Sequence, residues 1–382
     1  MTHSVLLTLG RLPKGLDIAR SFARLGWRVV VADPSPSHLM GASRSVAKSH
    51  QTPPPSTNPR AYLVALARII AQESIDFVVP VSEDVMFVAE LPNFLDLAVP
   101  VFSMPAGEIH RVHDKFDFIA LAAELGLKVP ESAAFGTELA QKIANSGPFI
   151  LKPRHSCAGN GVRFYPVGAT IVAQKDDVIQ RLIRGEECST CTLAMDGKVI
   201  GTAIYRATVL SGTVACGFER VEVPLIDAWV ERFVAATHWN GFISFDFMLD
   251  SEGVPYAIEC NPRTTSGLHF FETEDIAPAI LGQKSTIRFK KERKLMQFWS
   301  CVQETQDSFG DWPRFRDNLV HLWKTKDVTF ASDDPWPMIS MPWTARGIIA
   351  DARRDKIPFG IAATRDLAWT RPLSEWAALS GE

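Results

Sequence analysis

Between residues 242 and 271 the chain reads FISFDFMLDSEGVPYAIECNPRTTSGLHFF, where Asp246, Glu259, Asn261 and Arg263 fall inside eighteen positions. Asp246, Glu259, Asn261 and Arg263 sit in or beside runs that otherwise read as buried β-strand. Burying two unpaired carboxylates side by side is costly. Alternation puts Phe242, Ser244, Asp246 and Met248 on one face of the first strand, and Ala257, Glu259 and Asn261 on one face of the second. With Glu252-Gly253 as a two-residue hairpin loop, Ser251 pairs with Val254. Counting back from there sets Asp246 opposite Glu259, roughly 5 Å apart at Cβ. Like charges so placed destabilise a sheet, so a positive group belongs between them. A divalent cation satisfies both carboxylates, and the Asn261 carbonyl adds a hard oxygen ligand. Such an all-oxygen set is magnesium rather than zinc chemistry. The plainer reading pairs one carboxylate with Arg263 and leaves the other at a solvated hairpin end.

The elements that must position these residues follow from periodicity. VLLTLG (4–9) and WRVVVAD (27–33) read as strands around a helix at 14–25, whose apolar face carries Ile18, Phe22 and Leu25. A second helix at 60–73 leads to a strand at 76–81. Alternating βαβ units imply a doubly wound parallel sheet of about 100 residues. QTPPPSTNPR (51–60) is a surface loop by its prolines. Such a sheet with Asp33 ending its second strand invites a dinucleotide site. The first turn, however, runs Gly10-Arg-Leu-Pro-Lys-Gly15, with a proline where G-x-G-x-x-G needs close backbone approach. An NAD-dependent oxidoreductase therefore stands only as the reading from another class. Beyond residue 106 a helix is expected over 114–126, starting near Asp114 and ending at Gly126. Strand-like runs with hairpin signals at Asn160-Gly161, Asp196-Gly197 and Glu252-Gly253 follow it. The region after 283 holds seven of the ten tryptophans. Its best helix runs 312–325, with Trp312, Phe315, Leu319, Leu322 and Trp323 at helical spacing.

Composition sets outer bounds. A chain of 382 residues suits two or three domains, and a formal net charge of −3 leaves no electrostatic footprint for nucleic acid or an anionic membrane. No window approaches the roughly 18 apolar residues of a membrane span. MTHSVLLTLGRLPKG has no cleavage-like site, so no secretory signal is read. The six cysteines are scattered, which suits free thiols in a cytoplasmic chain. Cys188 and Cys191 form a CxxC inside a strand-like run, where their spacing points them to opposite faces, and no second pair follows at zinc-ribbon spacing.

IECNPRTTSG resembles the metal-binding signature of ATP-grasp enzymes, above all the carbamoyl-phosphate-synthetase-like branch, and the likeness covers roughly residues 1–285 in order. The DKF start at 114–116 resembles the family's first nucleotide lysine, here Lys115. ILKPRHSCAGNGVRF resembles its strand lysine, Lys152, followed by the phosphate loop with Gly159 and Gly161. IQRLIRGEE resembles the adenine hinge, which implies Gln180, Arg181, Leu182 and Ile183 beside the purine and Glu187 on the ribose. Asp246, Glu259 and Asn261 match the magnesium ligands, and Arg263 the arginine beside the transferring phosphate. Asp246 stands where several relatives carry glutamate or glutamine, and SCAGNG is less glycine-rich than the biotin-carboxylase loop.

The resemblance implies a doubly wound parallel domain over 1–105 and a two-lobed antiparallel ATP-grasp domain over 106–285; the remainder, 286–382, reads from its own pattern as a mostly helical Trp-rich region. It implies ATP with two Mg²⁺ ions, Mn²⁺ able to substitute, and ligation of a small carboxylic acid to an amine through an acyl-phosphate. Arg263 and Lys152 would be its catalytic groups. Arg11 and Ser82-Glu83-Asp84, at loops after the first domain's strands, are expected near the acceptor pocket. The rival within the family is a carboxylase or phosphotransferase that forms no amide. The last hundred residues match no family element. Their tryptophans suit either a layer docked on the core that shapes the acceptor pocket or an oligomerisation surface, with a homo-oligomer as its product.

Overall fold

The computed structural model describes residues 2–95, 99–155, 161–171, 176–212, 214–357 and 359–369. Strands β1 (Ser4–Thr8), β2 (Arg28–Asp33), β3 (Lys48–Gln51) and β4 (Phe77–Pro80) form a parallel sheet in the order β3-β2-β1-β4. Helices α1 (Pro13–Arg24) and α2 (Pro59–Glu73) cross between its strands, each with a proline in its first turn, where no amide partner is lost. The α2 start is capped by the Asn58 side chain, which accepts from Ala61 N at 3.0 Å. β3 was not legible: Lys48–Gln51 is an edge strand with little buried surface.

Asp33 does not wait for a ribose. Its carboxylate accepts from Gly10 N at 2.7 Å, Arg11 N at 3.0 Å and Ser35 N at 2.7 Å, and it pairs with the Arg11 guanidinium at 2.7 Å. These bonds close the first βα turn and commit both oxygens to structure.

A second, four-stranded antiparallel sheet runs β5-β8-β6-β7, from β5 (Ser132–Ala134), β6 (Phe149–Pro153), β7 (Arg163–Tyr165) and β8 (Asp177–Arg181). A seven-stranded sheet runs β13-β12-β9-β10-β11-β14-β15. It comprises β9 (Glu186–Met195), β10 (Lys198–Ser211), β11 (Val214–Val221), β12 (Gly241–Leu249), β13 (Pro255–Asn261), β14 (Lys294–Met296) and β15 (Lys326–Asp327). Helix α3 (Lys115–Glu124) is capped by Asp114, whose side chain accepts from Phe116 N and Asp117 N. Asp196 and Gly197, at φ of 50° and 75°, make the two-residue turn between β9 and β10. Asn160 lies outside the described residues.

Leu6 and Val30 of the parallel sheet share one contiguous core with Trp229, Phe233, Phe245 and Phe247, so this sheet and the seven-stranded sheet are welded through apolar burial. Cys188 and Cys191 face opposite sides of the large sheet, each buried in a different core.

Apart from β15, the described chain after β14 is mostly helical, and it docks on the parallel-sheet domain through buried polar contacts. Arg20 of α1 reaches Asp334 at 3.0 Å, and Arg11 reaches Asp366 at 3.0 Å. Trp369 stacks on His110 with ring centroids 4.3 Å apart and edges onto Phe87. Helix α4 (Trp312–Lys324) forms where its spacing predicts, but its apolar stripe turns outward: Trp312 is 71% and Trp323 92% exposed, and none of its residues is buried. Only Leu322 among the stripe packs, partly buried, against the small cluster of Val209, Cys216, Met296 and Cys301. Among the described residues no helix is long and apolar enough to cross a membrane.

Candidate active site

The β12–β13 hairpin places Asp246 directly opposite Glu259, but by a different route from the simple count. Asp250 N donates to Val254 O at 3.1 Å, so the loop has three residues, 251–253, and Gly253 takes the positive φ of 76° that this loop needs. Ser251 therefore does not pair with Val254. A β-bulge then shifts the register back between the Asp246 and Phe247 pairs, leaving Ile258 without a partner across the strand. The Ile258 carbonyl, at the bulge, accepts from Lys152 Nζ at 2.8 Å. The bulge thus restores the carboxylate pair and anchors a cation beside it.

Around that pair the sequence-derived residues converge. Lys115 Nζ lies 3.2 Å from Glu259 Oε1. Lys152 also donates to Gln180 Oε1 at 3.1 Å, and Gln180 Nε2 donates to Ser132 Oγ at 2.9 Å. Asp246 accepts from Ser189 Oγ at 2.6 Å and from Asn261 Nδ2 at 3.0 Å. Arg263 Nε donates to Glu83 Oε1 at 2.7 Å, and its NH2 reaches Asn261 Oδ1 at 3.1 Å.

A cleft of about 1040 Å³ joins these parts; it is lined by Lys152, Gln180, Arg181, Leu182, Ile183 and Glu187 at one end. Asp246, Glu259, Asn261 and Arg263 form its middle, and Arg11, Ser82 and Glu83 lie further along. Lys115 is not on its wall: it is buried behind Glu259. Asp84 is also off the wall, holding Ser82 N and Thr8 Oγ1. Gly159 lies outside the described residues. Gly161 is described, with φ of 79°, and a Cβ there would meet Pro153 at 2.7 Å.

The electrostatics express the crowding. Burial, then the neighbouring Glu259, pushes Asp246 up to about 7. Burial pulls Lys152 down to about 7, with Lys115 adding to the fall and Glu259 opposing it. Burial alone would raise Glu83, but Arg263, His113 and Lys14 outweigh it and hold that carboxyl low. Asp246 and Glu259 offer hard oxygens on one floor, and a turn of the Asn261 amide would offer a third. Asp246 accepts from a hydroxyl and an amide, and the charge of nearby Arg263 offsets its crowding only in part. That donor set fits a divalent ion such as Mg²⁺. Among the described residues no group of three or more His, Cys, Asp or Glu side chains could hold a metal; the Asp246–Glu259 set has two such side chains and an amide.

Several cleft residues carry no sequence signal for a site. Lys14 on α1 donates to Thr264 O at 2.6 Å, and burial followed by Arg263 lowers it to about 7. Gln297, Gln303, Met341, Phe359 and Thr364 bring the C-terminal region onto the wall. Only the tertiary fold reveals them.

A model of the ATP-grasp domain family matches residues 112–267, the segment that supplies the lysines, the hinge strand and the carboxylate pair. No curated protein matches the chain in sequence. Solved structures do match in fold. N5-carboxyaminoimidazole synthetase from Staphylococcus aureus superposes with a TM-score of 0.61 at 17% identity, covering 82% of this chain and 88% of that one; it is also solved with ADP. An L-amino acid ligase from Bacillus licheniformis gives 0.55 at 17%, covering 75% of each chain. The biotin carboxylase domain of Hydrogenobacter thermophilus 2-oxoglutarate carboxylase, in complex with MgADP, ADP and bicarbonate, gives 0.60 at 14%, covering 76% of this chain and 73% of that one. Identities this low speak to fold alone. The carboxylate hairpin, Lys115, Lys152 and β8 all lie in residues 112–267, the segment that matches the ATP-grasp domain.

Proposed function

We propose that this protein is an ATP-dependent ligase that activates a small carboxylic acid as its acyl-phosphate, releases ADP, and joins the acid to an amine. The observation that carries the reading is the Asp246–Glu259 pair, two carboxylates opposed on a cleft floor with buried lysines beside them. Such a floor repels a bare anion and accepts a metal–nucleotide complex. Asp246, Glu259 and Asn261 would hold Mg²⁺, two ions in all and replaceable by Mn²⁺. When bound, the metal supplies neutralisation of phosphate charge.

The chain's own groups do the rest. Gln180, Arg181, Leu182 and Ile183 would receive the base and Glu187 the ribose, Lys152 and the Gly159–Gly161 loop would hold phosphate oxygens, and Lys115, buried behind Glu259, would offset that carboxylate's charge. Lys152 is the catalytic cation: anchored by Gln180 and the bulged Ile258 carbonyl, it needs no reorganisation to meet charge developing on the phosphoryl oxygens. Arg263 is fixed by Glu83 at the far side, where it neutralises the transferring phosphoryl group and then the acyl-phosphate. The acid's carboxylate attacks the γ-phosphate in line, and positioning carries most of the rate. Free thiols at the five described cysteines suit a reducing, cytoplasmic compartment.

The test is ADP release across a panel of acids, namely the proteinogenic L-amino acids and short mono- and dicarboxylic acids, with hydroxylamine as trap. ATP-dependent hydroxamate with ADP is the expected result, and AMP with pyrophosphate would overturn it. A carboxylase is the second reading, favoured by the fold neighbour solved with bicarbonate beside MgADP. Bicarbonate alone, without acid or amine, would then stimulate ADP release.

A further inference from the structure

Beyond Arg263 the chain turns into a short 3₁₀ segment, Ser266–Phe270, and His269 on that segment lines the same cleft as Glu259 and Arg263. Its Nδ1 lies 2.6 Å from Asp17 Oδ2 on α1. One turn earlier on α1, Lys14 holds the Thr264 carbonyl. The helix therefore grips this segment at two points, and Gly267 between them admits the close approach of Cys191 and Tyr205, which a Cβ would meet at 2.7 and 2.9 Å.

Asp17 is more than a counter-ion to the ring. Lys290 Nζ sits 3.2 Å from its Oδ1, and Thr273 Oγ1 is 3.4 Å from the same oxygen. Burial alone would raise this carboxyl, but Lys290 and His269 outweigh it and hold it ionised, down to about 2. Its charge is thus already met by a lysine, and the contact with the imidazole fixes orientation. A neutral ring that donates from Nδ1 to a carboxylate presents the Nε2 lone pair on its other side. The C-terminal wall of the cleft, with Gln297 and Gln303, contributes polar lining of the kind an amine substrate needs.

We propose that His269, oriented by Asp17, is the general base that takes a proton from the amine as it attacks the acyl-phosphate. The assignment rests on the ligase reading above. A primary ammonium near the lysine value has only about one part in a thousand free base at neutral pH, so an enzyme using it gains from a positioned base. The amine nitrogen gives one proton to Nε2 and forms the C–N bond with its freed lone pair. The C–O bond to phosphate breaks with its electrons leaving on the phosphate, which takes the second nitrogen proton, and Nε2 returns its own to solvent. Acyl-phosphate and alkylammonium become amide, hydrogen phosphate and one proton. His269 is the catalytic residue and Asp17 a positioning residue. Asp17 on α1 and Asp327 of β15 act on the ring, and Arg20 on α1 and Lys290 on the segment after Phe289 act on Asp17.

Hydroxylamine separates the two half-reactions, because it is largely unprotonated at neutral pH and needs no base. His269→Gln and Asp17→Asn are compared with wild type on the same acid panel, once with hydroxylamine and once with primary amines. The expected result for His269→Gln is unchanged hydroxamate formation, which also shows that the variant folds, with amide formation down about a hundredfold at pH 7 and recovering as pH rises. Asp17→Asn should give the same split, smaller in size. Equal loss of hydroxamate and amide, or loss of neither, would overturn the base assignment while leaving the ligase reading intact. Wild type that forms no hydroxamate with any acid overturns the ligase reading and the base assignment with it.

Discussion

Replacing Asp246 by asparagine should make the nucleotide-free protein more stable, and by an amount that depends on pH. In the fold Asp246 is raised from 3.8 to about 7, by burial first and by Glu259 second. Below pH 4 both folded and unfolded chains hold the proton, and the substitution changes little. Between pH 4 and 7 the unfolded chain loses its proton while the folded one keeps it, so wild-type stability falls as pH rises and stays low above 7. A rise of about three pH units corresponds to ~4 kcal/mol. Asp246 faces an open cleft and is only part-buried, so solvent screens the charge and about 2 kcal/mol is the expected gain at pH 8. Asparagine keeps the shape, and the Ser189 hydroxyl can turn to accept from its amide. Denaturant unfolding of both proteins at pH 8 and pH 4.5, with EDTA, reads the difference directly. The same samples with Mg-ATP should reverse the order, because wild type gains the ligand's binding energy and the variant loses most of it. No stabilisation at pH 8, or an equal gain at pH 4.5, would refute the picture of a carboxylate strained by its surroundings.

Nucleotide binding should exchange protons in a direction that reverses with pH. Lys152 stands near 7 in the absence of nucleotide, so phosphate should draw about one proton in at pH 8, whereas Asp246, also near 7, should release one to the buffer when the metal binds at pH 6. Calorimetric titration of Mg-ATP in buffers of different ionisation enthalpy measures the sign, and the same sign at both pH values would count against it. Lys152→Met should lower ADP release at least a hundredfold, on the order of 2.7 kcal/mol in the barrier, while leaving the chain folded, as circular dichroism would show. Asp334→Ala should destabilise by about 3 kcal/mol, because it strands the buried Arg20 guanidinium that now holds the C-terminal region to α1; urea unfolding checks this.

Much of the site is legible in the sequence because strand periodicity and carboxylate repulsion are local. Asp246 and Glu259 face one another as alternation requires, although the count that predicts it uses a two-residue loop. The three-residue loop and the bulge at Ile258 each displace the register by one, in opposite senses, so the pair survives. Neither is visible in a pattern of period two, since Gly253 reads the same in both loops. Helix α4 shows the converse: its apolar spacing gives the helix but not the direction its stripe faces, which depends on what packs there. Asp17 and His269 lie 252 residues apart, and only the assembled fold brings them together. The contribution of Met341, Phe359 and Thr364 to the cleft is illegible for the same reason.

The central claim is that an acid's own oxygen attacks the γ-phosphate of ATP at the floor built by Asp246 and Glu259. The acid panel with ¹⁸O in both carboxylate oxygens, followed by ³¹P NMR of the released phosphate, tests this most directly. ADP and phosphate carrying one ¹⁸O from the acid that is ligated are the expected products. ADP release with phosphate free of label, or label appearing in AMP, would contradict it.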